Sequence, residues 1–574
     1  MRPKTPPPWL DTSKLHPDPG GPRTICEALV RAAGIYPDRG ITVLDRRGKT
    51  GERRTFGPLL DGVRAAAGRY AALGIGPGDR VLVCLPTSWH ALEAWFGVMF
   101  RGALPVMVSP PAAISGAEAH AHKVELIAQQ LGAKLLVTDS GLKDQAAKYG
   151  AKETVKIARS AEEFFAISPV HFEDPPSEPD ELAFLQLTSG STGTPRGVML
   201  THRAALHNVM AIQAALTAPW SDAQRAQPQT IVCWLPLYHD MGLVGCMLTA
   251  AFYGSEMVLM RPDSFLARPR LWLEALSKPG MTLATAPNFA YQLCVDRLED
   301  ADLAGIDLST WGAALSASEM VRPETVAAFN AKFGRLGFKP QVLRPCYGLA
   351  EATLCVTADV QGKGLRTRRV PGGVAEGFAL SEVACCGGPL ADAEVRICAP
   401  DDSALDEGQI GEIRAQGPSI FQGYFQSPEE TALALKDGWL CTGDLGFLHD
   451  GELYVTGRVK DLLIIHGHNL MPHELEWIAE EVIGGGGNER SGAFSVAKDG
   501  AGEQAVVVSE LGARDAAGLA ELAHEIKTRI GRTLGLPLAD LVFVRRGQIP
   551  KTTSGKIQRA ELRRRYLEGK LERI

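Results

Sequence analysis

Short apolar runs rich in β-branched residues alternate with longer helix-like stretches through most of this chain, and that alternation constrains the fold more than any other feature. "DRVLVCLP" (79–86), "TIVCWLP" (230–236) and "MTLATAP" (281–287) have strand length, whereas "HALEAWFGVMFRGA" (90–103) has helix length. Repeated strand–helix–strand units close into parallel sheets with helices on their faces, so the fold class is α/β with mostly parallel sheets. From about Glu394 the texture changes: "EVRICAP", "GEIRAQG" and "GELYVTGR" follow closely with Gly and Asp turns between them, which predicts a β-rich subdomain. After Arg458, "DLLIIHGHN", "HELEWIAEEVI", "EQAVVVSEL" and "LAELAHEIKTRIGRTLG" predict a small α+β unit. The 574 residues exceed what one hydrophobic core organises. The expected division is a large body over 1–457, a hinge over 458–461 centred on Lys460, and a small C-terminal domain over 462–574. No repeat of fixed period is present.

Composition narrows the function classes. A formal net charge of −6 gives no global attraction for nucleic acid or an anionic membrane, so any anionic ligand must be held by local groups. No run approaches the roughly eighteen apolar residues of a membrane span, and the Pro-rich start "MRPKTPPPWLDTSKLHPDPGGPRT" lacks the apolar centre of a signal peptide. Eleven Cys, an odd number without C-x-x-C spacing, suggest neither a disulfide framework nor a zinc cluster. The adjacent Cys385 and Cys386 read as buried thiols. The expectation is a soluble cytoplasmic protein with no nucleic-acid partner and no stable membrane insertion.

One stretch stands apart. "TSGSTGTPRG" (188–197) follows the apolar "ELAFLQLT" and precedes the amphipathic "RAALHNVMAIQAAL", with Thr201 or His202 near the helix start. Glycine lets a backbone approach a ligand closely, and turn N–H groups with Ser and Thr hydroxyls supply donors to phosphate oxygens. Arg196 adds the only fixed charge. The Walker A pattern is absent, so this is not a P-loop. By composition alone a plain solvent loop remains the competing reading.

The residue order resembles the phosphate loop of the acyl-adenylate-forming superfamily, which includes acyl-CoA synthetases, luciferases and peptide-synthetase adenylation domains. That resemblance implies phosphate contacts from Thr188, Ser189, Gly190, Ser191, Thr192, Gly193, Thr194 and Gly197. Arg196 stands where many relatives carry Lys, which keeps the charge and changes the donor geometry. Further motifs follow in the superfamily's order. "RPCYGLAEATL" (344–354) resembles the segment whose Tyr stacks near adenine and whose Glu helps hold magnesium, implying nucleotide contacts from Tyr347 and Gly348 and a metal site at Glu351 with Thr192. "GWLCTGDLG" (438–446) implies a ribose-binding Asp444. "GELYVTGRVKDLLI" implies a ribose-contacting Arg458 and the hinge at Lys460. "IPKTTSGKIQR" (549–559) implies that Lys556 is the catalytic lysine of the small, mobile domain. Taken singly, Tyr347 reads as core packing, Asp444 as a turn residue, and Arg458, Lys460 and Lys556 as solvated charges; their joint order carries the functional reading.

The implied reaction joins a carboxylate to the α-phosphate of ATP, giving acyl-AMP and pyrophosphate. Two anions must meet, so cations have to screen the approach, and magnesium, Arg196 and Lys556 answer that need. The chain is most similar to fatty acyl-AMP ligases, on "FLQLTSGSTGTPRGVMLTH", "WLPLYHDMGLVG", "APNFAYQLC" and "YGLAEATL". The family implies a fatty acid substrate and an acceptor thiol on an acyl carrier protein or on a carrier domain of a polyketide or peptide synthase. It also implies that His239 gates or walls the nucleotide and acyl sites. A hydrogen-bonded core histidine is the competing reading. Residues 360–382 lie where the family carries an insertion that restricts the domain movement CoA requires, in a shorter, Gly-rich form with "RTRR" near its centre. In "LLIIHGHNLMPHELE", His466 and His468 stand where relatives often carry Arg-like side chains. "APNFAYQLC" and "ALSASEM" supply apolar and small residues for an acyl tunnel, where each buried methylene contributes about 0.8 kcal/mol. An acyl-CoA synthetase and a non-catalytic nucleotide-binding relative are the alternatives, the second opposed by the presence of Glu351, Asp444, Arg458 and Lys556.

Overall fold

Strand Arg80–Cys84 shows how the apolar runs are satisfied: Val81 and Val83 join one core, while Leu82 and Cys84 join another across the sheet. A strand covered on both faces has no polar side to show, so it reads as an unbroken apolar run. The computed structural model describes residues 21–48, 51–111, 117–148, 157–172, 177–188, 195–370, 382–465, 468–484, 490–498, 502–512, 516–552 and 555–574.

Two large sheets carry most of the chain. The six-stranded sheet runs in the order Ile157–Ser160, Leu135–Thr138, Arg80–Cys84, Leu104–Met107, Leu182–Thr188, Arg196–Thr201, parallel except for its last pair. The nine-stranded sheet is parallel from Gly40–Leu44 through Glu256–Leu259, Gln229–Cys233, Met281–Ala286 and Trp311–Ser316 to Leu343–Tyr347. Antiparallel strands close its edges. Its order reverses at Gln229–Cys233, which pairs with Glu256–Leu259 on one side and with Met281–Ala286 on the other. Such a reversal opens a crevice at the carboxyl ends of the flanking strands, the usual ligand position in an open α/β sheet.

The expected β-rich segment is an antiparallel sheet built on Glu394–Cys398, Gly411–Gln416, Trp439–His449 and Glu452–Arg458. Beyond it, Ser491–Lys498, Gly502–Leu511 and Leu538–Arg545 form a three-stranded sheet. Alternation at period two divides it: Ala505 and Val507 pack with Leu475, Ile526 and Ile530, whereas Val506 and Val508 pack with Phe494 and Leu562. Two reciprocal contacts join this unit to the large body. Arg322 pairs with Glu480 and lies 4.9 Å over the Trp477 ring, and Arg490 lies 5.9 Å from the centre of the Phe289 ring.

The phosphate-loop segment differs from its expected setting in one respect. A strand, Arg196–Thr201, intervenes before the helix His202–Thr217, because Val198 and Leu200 are taken into the main core and Met199 packs on the opposite face. Thr201 then caps the helix, its hydroxyl accepting from Ala204 N at 3.1 Å. Cys385 and Cys386 are buried thiols, as read from the sequence.

Beside the nine-stranded sheet, Trp272 is fully buried, with ring centres of Trp311, Phe265 and Tyr291 at 5.2, 5.6 and 5.6 Å. Trp272→Ala is expected to lower the stability of the large body by about 3–5 kcal/mol. A shift of the denaturant midpoint followed by tryptophan fluorescence measures it.

Candidate active site

The parallel strands deliver their carboxyl ends to one place. Leu182–Thr188 ends in Thr188, Leu343–Tyr347 in Tyr347, and Trp311–Ser316 leads to Ser318. All three border a cavity of about 590 Å³. The chain beyond Gln229–Cys233 brings His239 to its wall, and the turn after Tyr347 brings Gly348 and Glu351. The antiparallel sheet supplies Arg458, the turn Val459–Asp461 supplies Lys460, and the C-terminal segment supplies Lys556. A second cavity of about 940 Å³ lies between the large body and the C-terminal unit and shares Ser318, Tyr347, Arg458, Lys460 and Lys556 with the first.

A buried carboxylate organises the centre. Asp444 Oδ2 accepts from the Tyr347 hydroxyl and Oδ1 from Arg458 Nε, each at 2.8 Å. Asp444 and Arg458 are direct partners across the strand pair, so the ion pair is set by register. Asp444 raises the Arg458 pKa, and burial pushes the Tyr347 hydroxyl well above the usual tyrosine range. Lys556 is held by a tight turn in which its N–H donates to Thr552 Oγ1 at 3.1 Å and its carbonyl accepts from Thr552 N at 2.7 Å. Burial first, then the Arg458 guanidinium, push the Lys556 ammonium below the usual lysine range, against the pull of Asp240, Asp444 and Glu319. Burial and Arg458 lower Lys460 in the same way.

A second chain of contacts borders the same cavity. The Tyr424 hydroxyl donates to Glu351 Oε1 at 2.7 Å, and the Arg196 guanidinium lies 4.2 Å over the Tyr424 ring. Thr188 Oγ1 and Arg196 Nε are buried with no hydrogen-bond partner among the described residues. Buried donors left open in this way suit an anion that arrives from outside the chain. His239 Nδ1 lies 2.6 Å from Asp240 Oδ1. Burial would raise the Asp240 pKa, yet His239 and Lys556 outweigh it and the carboxyl is held below its usual range.

Of the residues expected from the sequence, Thr188, Arg196, His239, Tyr347, Gly348, Glu351, Arg458, Lys460 and Lys556 border the first cavity. Asp444 borders the second and reaches the first through its partners. Gly197 does not border either; it is held within its strand opposite Leu187, against Leu131 and Phe425. Ser189, Gly190, Ser191, Thr192, Gly193, Thr194 and His466 lie outside the described residues, as do 371–381 of the expected insertion. Gly348 is where it is by close packing, since a Cβ there would fall 1.7 Å from the Leu354 carbonyl oxygen.

Three features escaped sequence reasoning. Tyr424 links Arg196 to Glu351 only because a bridge sets it beside Val198. Ser318 holds φ +76°, a left-handed conformation rare outside glycine, which nothing in "ALSASEM" announces. The wall facing the sheet includes a π-helix, Leu243–Leu248, a winding that recurs at functional sites.

The AMP-binding enzyme family matches residues 29–425. A Caulobacter vibrioides protein whose name assigns acyl-CoA synthetase activity provisionally is 33% identical over 561 residues, covering 95% of this chain and 96% of its own length. The long-chain-fatty-acid–AMP ligase FadD26 of Mycobacterium bovis is 34% identical over 531 residues, covering 87% and 89%. A solved structure from studies of fatty acyl-adenylate ligases of E. coli and L. pneumophila superposes with a TM-score of 0.85 at 30% identity, covering 95% of this chain and 98% of its own. The chain therefore belongs to the AMP-binding enzyme family and is an acyl-adenylate-forming ligase.

Proposed function

We propose that this protein activates a fatty acid as its acyl-AMP and passes the acyl group to the phosphopantetheine thiol of an acyl carrier protein or carrier domain. One observation carries the reading: Lys556, from the C-terminal unit, borders the same cavity as Arg196 and Glu351. Cations from separate parts of the chain thus face one space where two anions have to meet. The fatty acid and the AMP product follow the names of the relatives and the apolar half of the cavity, where Ile212, Leu216, Cys246 and Leu283 stand.

In this reading a carboxylate oxygen bonds to the α-phosphorus of ATP, and the bond to the bridging oxygen breaks with its electron pair leaving on pyrophosphate. Thr188 and Arg196 donate to the departing phosphates with the buried groups they hold open. Lys556, as a charged ammonium, neutralises charge on the transferring oxygens. Tyr347 bounds the adenine, and Asp444 with Arg458 receives the ribose hydroxyls. Among the described residues no group of three or more His, Cys, Asp or Glu is arranged to hold a metal. Magnesium does not require one, since it binds through one or two carboxylates together with substrate phosphates and water. Glu351, positioned by Tyr424, fits that pattern, and a magnesium ion held there supplies charge neutralisation to the phosphates.

Residues 458–461 serve as a hinge between the large body and the domain 462–574, so that one cavity meets ATP first and the thiol second. Carrier-protein use rests on the segment 360–382. Its described ends pair as Thr367–Arg369 with Glu382–Ala384, and Arg366 bonds Glu452 on the antiparallel sheet, which fastens the root of the segment to the large body. Free CoA is the second reading, favoured by the Caulobacter relative's name. Cytoplasmic location belongs to the same proposal; no described helix is long and apolar enough to cross a membrane.

Lys556→Ala is expected to slow fatty-acid-dependent pyrophosphate exchange roughly 10²-fold or more, as loss of a transition-state charge partner does, with ATP binding largely retained. Because the charged amine is the active form and its pKa is lowered, exchange by the parent should decline with rising pH before the ordinary lysine range near about 10.4 is reached. A pH profile that stays flat to that point argues against the role. With CoA as the only thiol, acyl-AMP should accumulate, and holo carrier protein should discharge it; rapid acyl-CoA formation assigns the acceptor to CoA instead.

A further inference from the structure

The inner wall of the acyl groove carries Gln213, whose amide is held by Gln229 outside the cavity lining. Strand register gives the groove's depth: Thr285 stands opposite Leu315, and two residues deeper Leu283 stands opposite Ala313 and Ile231. Ala317, Leu315, Leu283 and Ile231 all border the cavity, so it follows the sheet face inward over four residues, roughly 13 Å at about 3.3 Å per residue. Across from the sheet stands the last part of helix His202–Thr217, which presents Ile212, Gln213 and Leu216 at one-turn spacing. Gln213 Nε2 donates to Gln229 Oε1 at 2.7 Å, and Gln229 opens the strand that carries Ile231. The wall is braced there, because the buried Arg344 donates from Nη2 to the Leu216 carbonyl at 3.0 Å. Among the described residues no donor reaches Gln213 Oε1.

We infer that Gln213, anchored by Gln229, is the specificity-determining end of the acyl groove: plain alkyl chains are accepted up to the length that meets its amide, and a chain of that length is preferred when it carries a terminal hydroxyl. A methyl group pressed against the amide oxygen strips its water and returns no bond, whereas a hydroxyl donates one. Short of that point each methylene is simply buried, a gain of roughly fourfold per methylene from about 0.8 kcal/mol at 1.4 kcal/mol per decade. The inference rests on the fatty-acid reading above.

The test is pyrophosphate exchange by the full chain with straight saturated fatty acids of increasing length and with their ω-hydroxy counterparts, for the parent, Gln213→Leu and Gln213→Ala. In the parent, kcat/KM should climb with length, break, and at the break favour the ω-hydroxy acid. Gln213→Leu keeps the bulk without the amide and should reverse that preference at the same length. Gln213→Ala should move the break to longer alkyl chains, read as the ratio of long-chain to short-chain kcat/KM. Gln229→Ala should shift the same ratio in the same direction by less. The same break and hydroxyl preference in parent and both Gln213 variants, or a loss uniform across all lengths, overturns the assignment. Absence of exchange with any fatty acid in the parent instead refutes the fatty-acid reading itself.

Discussion

Everything around the cavity depends on one buried carboxylate. Asp444 lies in the antiparallel sheet, bonded to Tyr347, the last residue of strand Leu343–Tyr347, and to Arg458 at the end of its own neighbouring strand. A charge so placed is tolerable only while its partners hold it, and loss of one leaves the other uncompensated. The same triad sits immediately before the turn that leads to the C-terminal unit. Its field reaches Lys460 and Lys556, both of which it acts on through Arg458 and Asp444. Sheet, turn and lysine therefore share one electrostatic centre.

A second arrangement bordering the cavity is mediated by an aromatic ring. Tyr424 holds Glu351 through its hydroxyl and lies under Arg196 through its face, so a guanidinium and a carboxylate are kept in fixed relation. A chain of net charge −6 has no general attraction for polyphosphate. Binding has to come from this local concentration of cations and open donors, held close enough to act within low dielectric surroundings.

The parts of the fold that could be read from residues are those where burial is uniform. Runs such as 79–86 and 281–287 are strands because both their faces are covered, and the helix near 203–216 is capped by Thr201, one of two residues named for that place. Strand Arg196–Thr201 was hidden because its six residues follow a Gly-rich loop and its apolar positions blend into the helix that follows. Of the residues named from motif order, Thr188, Arg196, Tyr347, Glu351, Arg458 and Lys556 border the cavity, whereas Gly197 is held within its strand. Tyr424, Ser318 and Gln213 were not legible in the sequence, since a bridge to Val198, a positive φ and a position across from a distant strand leave no mark on local spacing.

The two ends of the cavity differ in how firmly they are built. Strand termini from separate sheets frame one part of it, while its apolar part is walled by a helix and by the π-wound turn Leu243–Leu248. A π-turn accommodates one residue more than the α-helical path on either side of it needs. That surplus is room for inheritance: a single deletion or exchange there can reshape the apolar wall while leaving every sheet register in place. Variation in that turn can thus alter the apolar wall without moving the strand ends that frame the rest of the cavity.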